Sequence, residues 1–189
     1  FNADDAYVHI TSNNTIYGTQ WKVFPDTGDV PLVADMSSDI LSKPVDVSKF
    51  GIIYAGAQKN LGPSGVTVVI IRKDLLEKAN TNIPTMLKYT THANNNSLYN
   101  TPPTFGIYML GEVLKWVEAQ GGLEKVAQNN EEKAALIYDV IDASNGFYYG
   151  HAEEGSRSLM NITFRVADEE LEKQFLKEAE EAGFVGLSG

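Results

Sequence analysis

Lys59 is the residue whose surroundings most suggest chemistry. It lies in Ala55-Gly56-Ala57-Gln58-Lys59-Asn60-Leu61-Gly62-Pro63-Ser64-Gly65, a run of small residues, Gly and Pro. The apolar run Gly51-Ile52-Ile53-Tyr54 leads in and Val66-Thr67-Val68-Val69-Ile70-Ile71 leads out. The pattern predicts strand, tight loop, strand, with the lysine at the bend. A lysine held there can point into a cleft, and partial desolvation lowers its proton affinity and makes it a usable amine nucleophile. A solvated loop lysine fits this run equally well. A phosphate-binding loop does not, because no Gly-Lys-Ser/Thr closes it.

A second feature stands upstream. Val30-Pro31-Leu32-Val33-Ala34-Asp35 is an apolar run ending in a carboxylate, followed by Met36-Ser37-Ser38. An acid at one strand end and a lysine at another can converge on one ligand. Pyridoxal phosphate requires such a pair: the lysine holds it as a Schiff base, and the acid keeps the pyridine nitrogen protonated so that the ring accepts electrons. Read without a partner, Asp35 is a turn or cap acid. A carboxylate buried at a strand end needs a cation, and a pyridinium supplies one.

The strings Ala34-Asp35-Met36-Ser37-Ser38-Asp39-Ile40-Leu41-Ser42 and Tyr54-Ala55-Gly56-Ala57-Gln58-Lys59-Asn60-Leu61-Gly62 closely resemble the phosphoserine aminotransferase family, class-V enzymes of pyridoxal-phosphate fold-type I. Tyr7-Val8-His9, Asn14-Thr15-Ile16, Asn96-Ser97-Leu98-Tyr99-Asn100-Thr101-Pro102-Pro103-Thr104 and Arg157-Ser158-Leu159-Met160-Asn161 follow in the family's order, so the likeness runs along the whole chain. The resemblance implies catalytic roles for Lys59 and Asp35. It implies cofactor contacts for Thr15 near the ring's phenolic oxygen, for Gln58 at the phosphate, and for Asn100 and Thr101 at the phosphate of a neighbouring subunit in a homodimer. The family usually has Glu before the threonine; here it is Asn14, which leaves that loop less acidic.

By the same resemblance the activity is amino transfer between glutamate and 3-phosphohydroxypyruvate, giving phosphoserine and 2-oxoglutarate. The setting is cytoplasmic serine biosynthesis, with pyridoxine biosynthesis as a further route. Two other readings stay open: another fold-type I enzyme, and a non-catalytic dimerisation piece. The family is much longer than this chain. The expectation is therefore a central-to-C-terminal fragment without the aromatic that stacks on the cofactor, the glycine-rich phosphate contacts and the substrate arginines. Such a fragment alone should bind the cofactor weakly and not turn over.

Composition agrees with a folded acidic protein. The chain has 189 residues, 43% hydrophobic, with 15 basic against 25 acidic side chains and a net charge of −10. That balance argues against a nucleic-acid surface. There is no Cys, hence no disulfide or thiolate metal site. His9, His92 and His151 show no ligand spacing. No run is long and apolar enough to span a membrane. Three glycosylation-like triplets, at Asn13, Asn95 and Asn161, are short enough to arise by chance.

The elements that must position these residues follow from local pattern. Strands are expected around Tyr7 to Ile10 and up to Asp35, and a short surface helix over Lys73 to Ala79. The stretch from Thr81 to Asn100 reads as a long loop. Pro102-Pro103 starts a helix over Thr104 to Gln120, with Thr101 as its N-cap and Phe105, Met109, Val113 and Trp116 as its inward stripe. Gly121-Gly122 stops it. A second helix runs from Leu123 to Ser144, with Val126, Ala134, Ile137 and Ile141 inward and its acids and Asn outward. Ser158 to Val166 alternates as a half-buried strand, and Asp168 caps a helix whose Leu171, Phe175, Ala179 and Ala182 face a sheet. Arg157 reads as a salt-bridge residue. The expected fold class is α/β: part of a pyridoxal-phosphate transferase large domain, with a mixed, mostly parallel sheet, over residues 1–120. A connecting helix over 121–144 and part of a small α+β C-terminal domain over 145–189 follow.

Overall fold

The computed structural model describes residues 1–187. The chain divides into two compact units: Phe1–Ser12 with Pro25–Val126, and Asn13–Phe24 with the described residues from Ala127 onward.

The first unit is built on four strands: β1 (Val8–Thr11), β4 (Leu32–Asp35), β5 (Ile52–Gly56) and β6 (Thr67–Ile71), in the order β1-β4-β5-β6. The first three are parallel, and β6 returns antiparallel to β5. The sheet is thus mixed and mostly parallel. Strand alternation sorts the residues. Ile10, Leu32, Ala34, Ile53 and Ala55 share one buried face. His9, Thr11, Val33, Asp35, Ile52, Tyr54 and Gly56 share the other, which is half-open.

Beyond β6 come α1 (Lys73–Glu77), α2 (Tyr89–Asn94) and α3 (Thr104–Ala119). Three expectations are corrected here. The stretch from Thr81 to Asn100 is not structureless, since it holds a 3-10 turn at Thr85–Leu87 and α2. Thr101 does not cap α3: the N-cap is Pro103, and the Thr104 N–H donates to the Pro102 carbonyl at 2.8 Å. The inward stripe of α3 is shifted by one residue, because Phe105 and Trp116 are 71% and 58% exposed while Gly106 and Val117 are buried. The cause is Gly106. A Cβ there would come within 2.8 Å of Val66 Cγ2, so the bare backbone lets this side of the helix approach, and Leu110 follows it onto Ala55, Ala57 and Leu61. With apolar residues all round the helix, periodicity alone does not choose the side.

The second unit holds the short hairpin β2 (Asn13–Asn14) and β3 (Thr19–Gln20), most of α4 (Gly122–Ala143), the pair β7 (Tyr148–Tyr149) and β8 (Arg165–Val166), and α5 (Glu169–Glu181). Gly121 and Gly122, at φ 101° and 81°, separate α3 from α4 in a conformation that L side chains avoid. On α4 the buried side carries Asn130, Ala134 and Ile141, so Asn130 is inward where the pattern expected it outward, and Ile137 is largely exposed. The expected long strand from Ser158 shrinks to Arg165–Val166. The Ser158 hydroxyl accepts from the N–H groups of Met160 and Asn161 at 3.0 Å each, and that local turn competes with a ladder. Tyr148, Phe164 and Phe175 pack edge-to-face with centroids 5.5 to 6.1 Å apart, and Ala179 is buried beside Phe175 on α5. Leu171 and Ala182 are instead exposed, since the aromatic trio supplies the packing expected of them. Asp168 caps α5 as expected, accepting from the Glu170 and Leu171 N–H groups.

Candidate active site

Asp35 is the last residue of β4, on the half-open face of the sheet. Its Oδ1 accepts from the Ser37 backbone N–H at 2.9 Å and from the Ser37 hydroxyl at 2.6 Å. This Asx turn orients the carboxylate. The backbone of Asp35 is held from the other side: Ser12, just beyond β1, donates its N–H to the Asp35 carbonyl at 2.9 Å. The Ser12 hydroxyl lies against the same carbonyl at 3.0 Å and against the carboxylate of buried Asp39.

Lys59 sits in the turn that follows β5. The Leu61 and Gly62 N–H groups both donate to the Ala57 carbonyl, closing one helical turn. Ala57 and Leu61, four apart, are the buried anchors, so Gln58 and Lys59 fall on the exposed side between them. Gln58 lies back over Gly56: a Cβ on Gly56 would meet the Gln58 amide oxygen at 2.6 Å, so glycine lets the amide rest there without being displaced.

The two turns are joined. The Ser37 hydroxyl accepts from the Gly56 N–H at 3.0 Å, and the Asn60 amide donates to the Ile40 carbonyl at 2.6 Å. Ile40 and Leu41 pack on Ala55, Ala57 and Leu61. Leu41 does so from the left-handed region, at φ 63°, a conformation costing a branched side chain roughly 1–2 kcal/mol. Asp35, Gln58 and Lys59 thus belong to neighbouring turns at the carboxyl end of adjacent parallel strands, where open α/β sheets bind ligands.

Tyr54 also stands on this face, opposite Asp35 in the ladder. Burial holds its phenol above the ordinary tyrosine range, reinforced by the negative charge of Asp35 and, less, by Tyr89. Ser12, Ser37, Asn60 and Tyr54 were not singled out by sequence reasoning. For Ser37 the signal was present, since Asp-x-Ser is an Asx-turn pattern. For the others it was not, because their partners lie 20 to 45 residues away.

The other expected residues lie elsewhere. Asn100 and Thr101 are exposed in the segment before α3, the Asn100 amide donating to the Thr101 carbonyl at 3.1 Å. Thr15 belongs to the second unit, in the turn between β2 and β3. Asn14 Oδ1 accepts from the Ile16 and Tyr17 N–H groups at 3.0 Å each, and so caps this turn. Arg157 forms a bidentate pair with Asp142, at 2.6 and 2.7 Å, and lies over the Tyr138 ring, the salt-bridge role expected of it. Among the described residues there is no His, Asp and Glu cluster suited to a metal, and no helix long and apolar enough to cross a membrane.

The model of the family described as aminotransferase class-V matches residues 1–184. The phosphoserine aminotransferase of Lysinibacillus sphaericus is 82% identical over 189 residues, covering all of this chain and 52% of that protein. The solved phosphoserine aminotransferase from Bacillus circulans subsp. alkalophilus superposes with a TM-score of 0.97 at 64% identity, over all of this chain and 52% of that one. The pyridoxal-phosphate-bound phosphoserine aminotransferase of Trichomonas vaginalis does so at 0.92 and 38%, again over all of this chain and 54% of its own. The chain spans about half the length of these relatives.

Proposed function

The chain belongs to the class-V aminotransferase family, and on that premise we propose that it is the part of a phosphoserine aminotransferase that carries the lysine and the ring-nitrogen acid. The reaction of the whole protein is amino transfer between glutamate and 3-phosphohydroxypyruvate, giving O-phosphoserine and 2-oxoglutarate. Its setting is cytoplasmic serine biosynthesis, with pyridoxine biosynthesis as a further route. The observation that carries this reading is the pair of hydrogen bonds, Ser37 to Gly56 and Asn60 to Ile40, that joins the Asp35 turn to the Lys59 turn.

The donor set suits pyridoxal phosphate. Lys59 offers an exposed primary amine on a turn braced by two buried anchors. Asp35 offers a carboxylate oriented through one oxygen by Ser37. Gln58 offers an amide donor at the same sheet end, suited to a phosphate oxygen. When bound, the cofactor supplies an electron sink for the carbon losing its proton. Lys59 is assigned the covalent anchoring and, once released, the movement of a proton between two carbons. Asp35 is assigned to hold the positive charge on the ring nitrogen. Thr15 is assigned to the ring's phenolic oxygen, and Asn100 and Thr101 to the phosphate of a neighbouring subunit in a homodimer.

The test is made on the full-length protein. Asp35→Asn should lower kcat by roughly 10²–10³ with a much smaller change in cofactor affinity, because the lost interaction strengthens in the transition state. Turnover of 3-phosphohydroxypyruvate should far exceed that of its unphosphorylated form. Equal rates on the two keto acids, or an Asp35→Asn variant with wild-type kcat, would sink the assignment. The isolated 189-residue chain should show weak pyridoxal phosphate binding and no transamination.

A further inference from the structure

Ser37 takes a place at the end of the sheet that a backbone group would ordinarily hold. Met36 follows β4, and its N–H donates to the Tyr54 carbonyl of β5 at 2.9 Å. A parallel ladder would continue with the Gly56 N–H donating to the Met36 carbonyl. That carbonyl is engaged elsewhere: it accepts from the Asp39 and Ile40 N–H groups, at 3.1 and 2.8 Å, which begins the turn after β4. The Gly56 N–H donates instead to the Ser37 hydroxyl, at 3.0 Å. A side chain thus stands in for the ladder acceptor.

The same hydroxyl has one proton to give. It goes to Asp35 Oδ1, at 2.6 Å, and the Ser37 N–H donates to that oxygen as well, at 2.9 Å. Two donors on one carboxylate oxygen use its two lone pairs, and neither of these bonds goes to Oδ2. The bonds therefore run one way, from Gly56 N–H to Ser37 O–H to Asp35 Oδ1, each polarising the next. They begin where the chain enters the Lys59 turn and end on the acid.

We propose that Ser37 is a positioning residue that divides the two oxygens of Asp35 between two tasks: it occupies Oδ1 with both of its donors and reserves Oδ2 for the ring nitrogen of pyridoxal phosphate. This rests on the cofactor reading given above. Rotating the carboxylate would break both bonds to Oδ1 at once, so the oxygen kept for the ring stays in one place. Donation to the ionised form also favours that form, which is what a pyridinium partner requires. Removing the hydroxyl would take a donor from Asp35 and the acceptor from Gly56, so both ends of the chain of bonds report its loss.

Two measurements on the full-length protein test this. In the cofactor-free protein, Ser37→Ala should speed hydrogen exchange of the Gly56 amide by about tenfold or more. The Ala57 amide, which donates to the Val66 carbonyl at 2.9 Å, should keep its rate. In the holoenzyme loaded with nitrogen-15-labelled pyridoxal phosphate, the same variant should move the ring-nitrogen shift from the protonated toward the neutral value. It should lower kcat on the order of tenfold and leave the KM for glutamate within about twofold, as loss of a donor to a charged group predicts. Ser37→Thr, which keeps the hydroxyl, should recover most of each change. A Ser37→Ala holoenzyme with the wild-type ring-nitrogen shift would overturn the proposal, and so would a Ser37→Thr variant no better than Ser37→Ala, or Gly56 exchange unaltered by the loss of the hydroxyl. If the wild-type protein bound no pyridoxal phosphate, the cofactor reading and this role would fall together, while Gly56 exchange would still decide whether Ser37 bridges the two strands.

Discussion

The two faces of the four-stranded sheet use the same strands for different ends. One face carries Ile10, Leu32, Ala34, Ile53 and Ala55, all buried and all apolar. The other carries Asp35 with His9 and Tyr54, the last two linked by a hydrogen bond, and is only partly covered. Alternation makes this division unavoidable, since each residue on one face is followed by one on the other. The buried face sets the register, because a slip by one residue would bury Asp35 and Tyr54 and expose Leu32 and Ile53. Small Ala55 on this face and Ala57 just beyond it let the chain beyond β4 pack close, and this brings Ile40 within reach of Asn60. The open face then receives its geometry as a consequence, and substitutions on it should alter chemistry with little effect on stability.

The largest expected contrast is at Lys59. In the full-length protein Lys59→Ala should lower kcat by roughly 10³-fold or more, the scale of losing a nucleophile that also moves protons. Its melting temperature should hardly change, as for other substitutions of exposed side chains. A matching loss of stability would mean that the turn, not the amine, was the important feature. Next comes Leu32→Ala on the buried face, which should cost about 2–5 kcal/mol in urea unfolding while the folded fraction keeps its kcat. An unaltered urea midpoint would break the division between the faces.

Asn60→Ala tests the connection between the two turns. Losing the bond to Ile40 should cost about 1 kcal/mol. The rate should fall as well, because the Lys59 turn is no longer held to the Asp35 turn, and full activity would show that packing alone suffices. The smallest effect is at alkaline pH. The Tyr54 phenol is held above its ordinary value, first by burial and then by Asp35. Folding therefore favours the protonated form. The resulting stabilisation is complete below the unfolded pKa of about 10 and declines as pH rises from there through the folded value. Tyr54→Phe should remove this alkaline decline, visible as a flatter unfolding curve against pH. The buried face has no titratable side chain among the residues named above, so it should contribute none.

Much of this is readable from the linear chain, for local reasons. The lysine turn announces itself by Gly, Pro and small residues between two apolar runs. Asp35 stands where an apolar run stops. Gly121-Gly122 and Asp168 mark helix ends through backbone freedom and capping. Reading failed where apolar residues surround an element on every side, as on α3, where Gly106 rather than Phe105 faces the sheet unit. It failed again where a side chain competes with the ladder, as Ser158 does, shortening the expected strand to Arg165–Val166.

The sequence by itself determined which residue types were present for chemistry and which short segments would carry them, because periodicity, turn propensity and capping act over a few residues. Only the tertiary structure decided which of those residues share a face. His9 and Tyr54 are 45 positions apart, and Asn60 and Ile40 are 20 apart. Their meeting depends on parallel pairing and on packing across the buried side of the sheet, and neither leaves a mark in the local pattern of either segment.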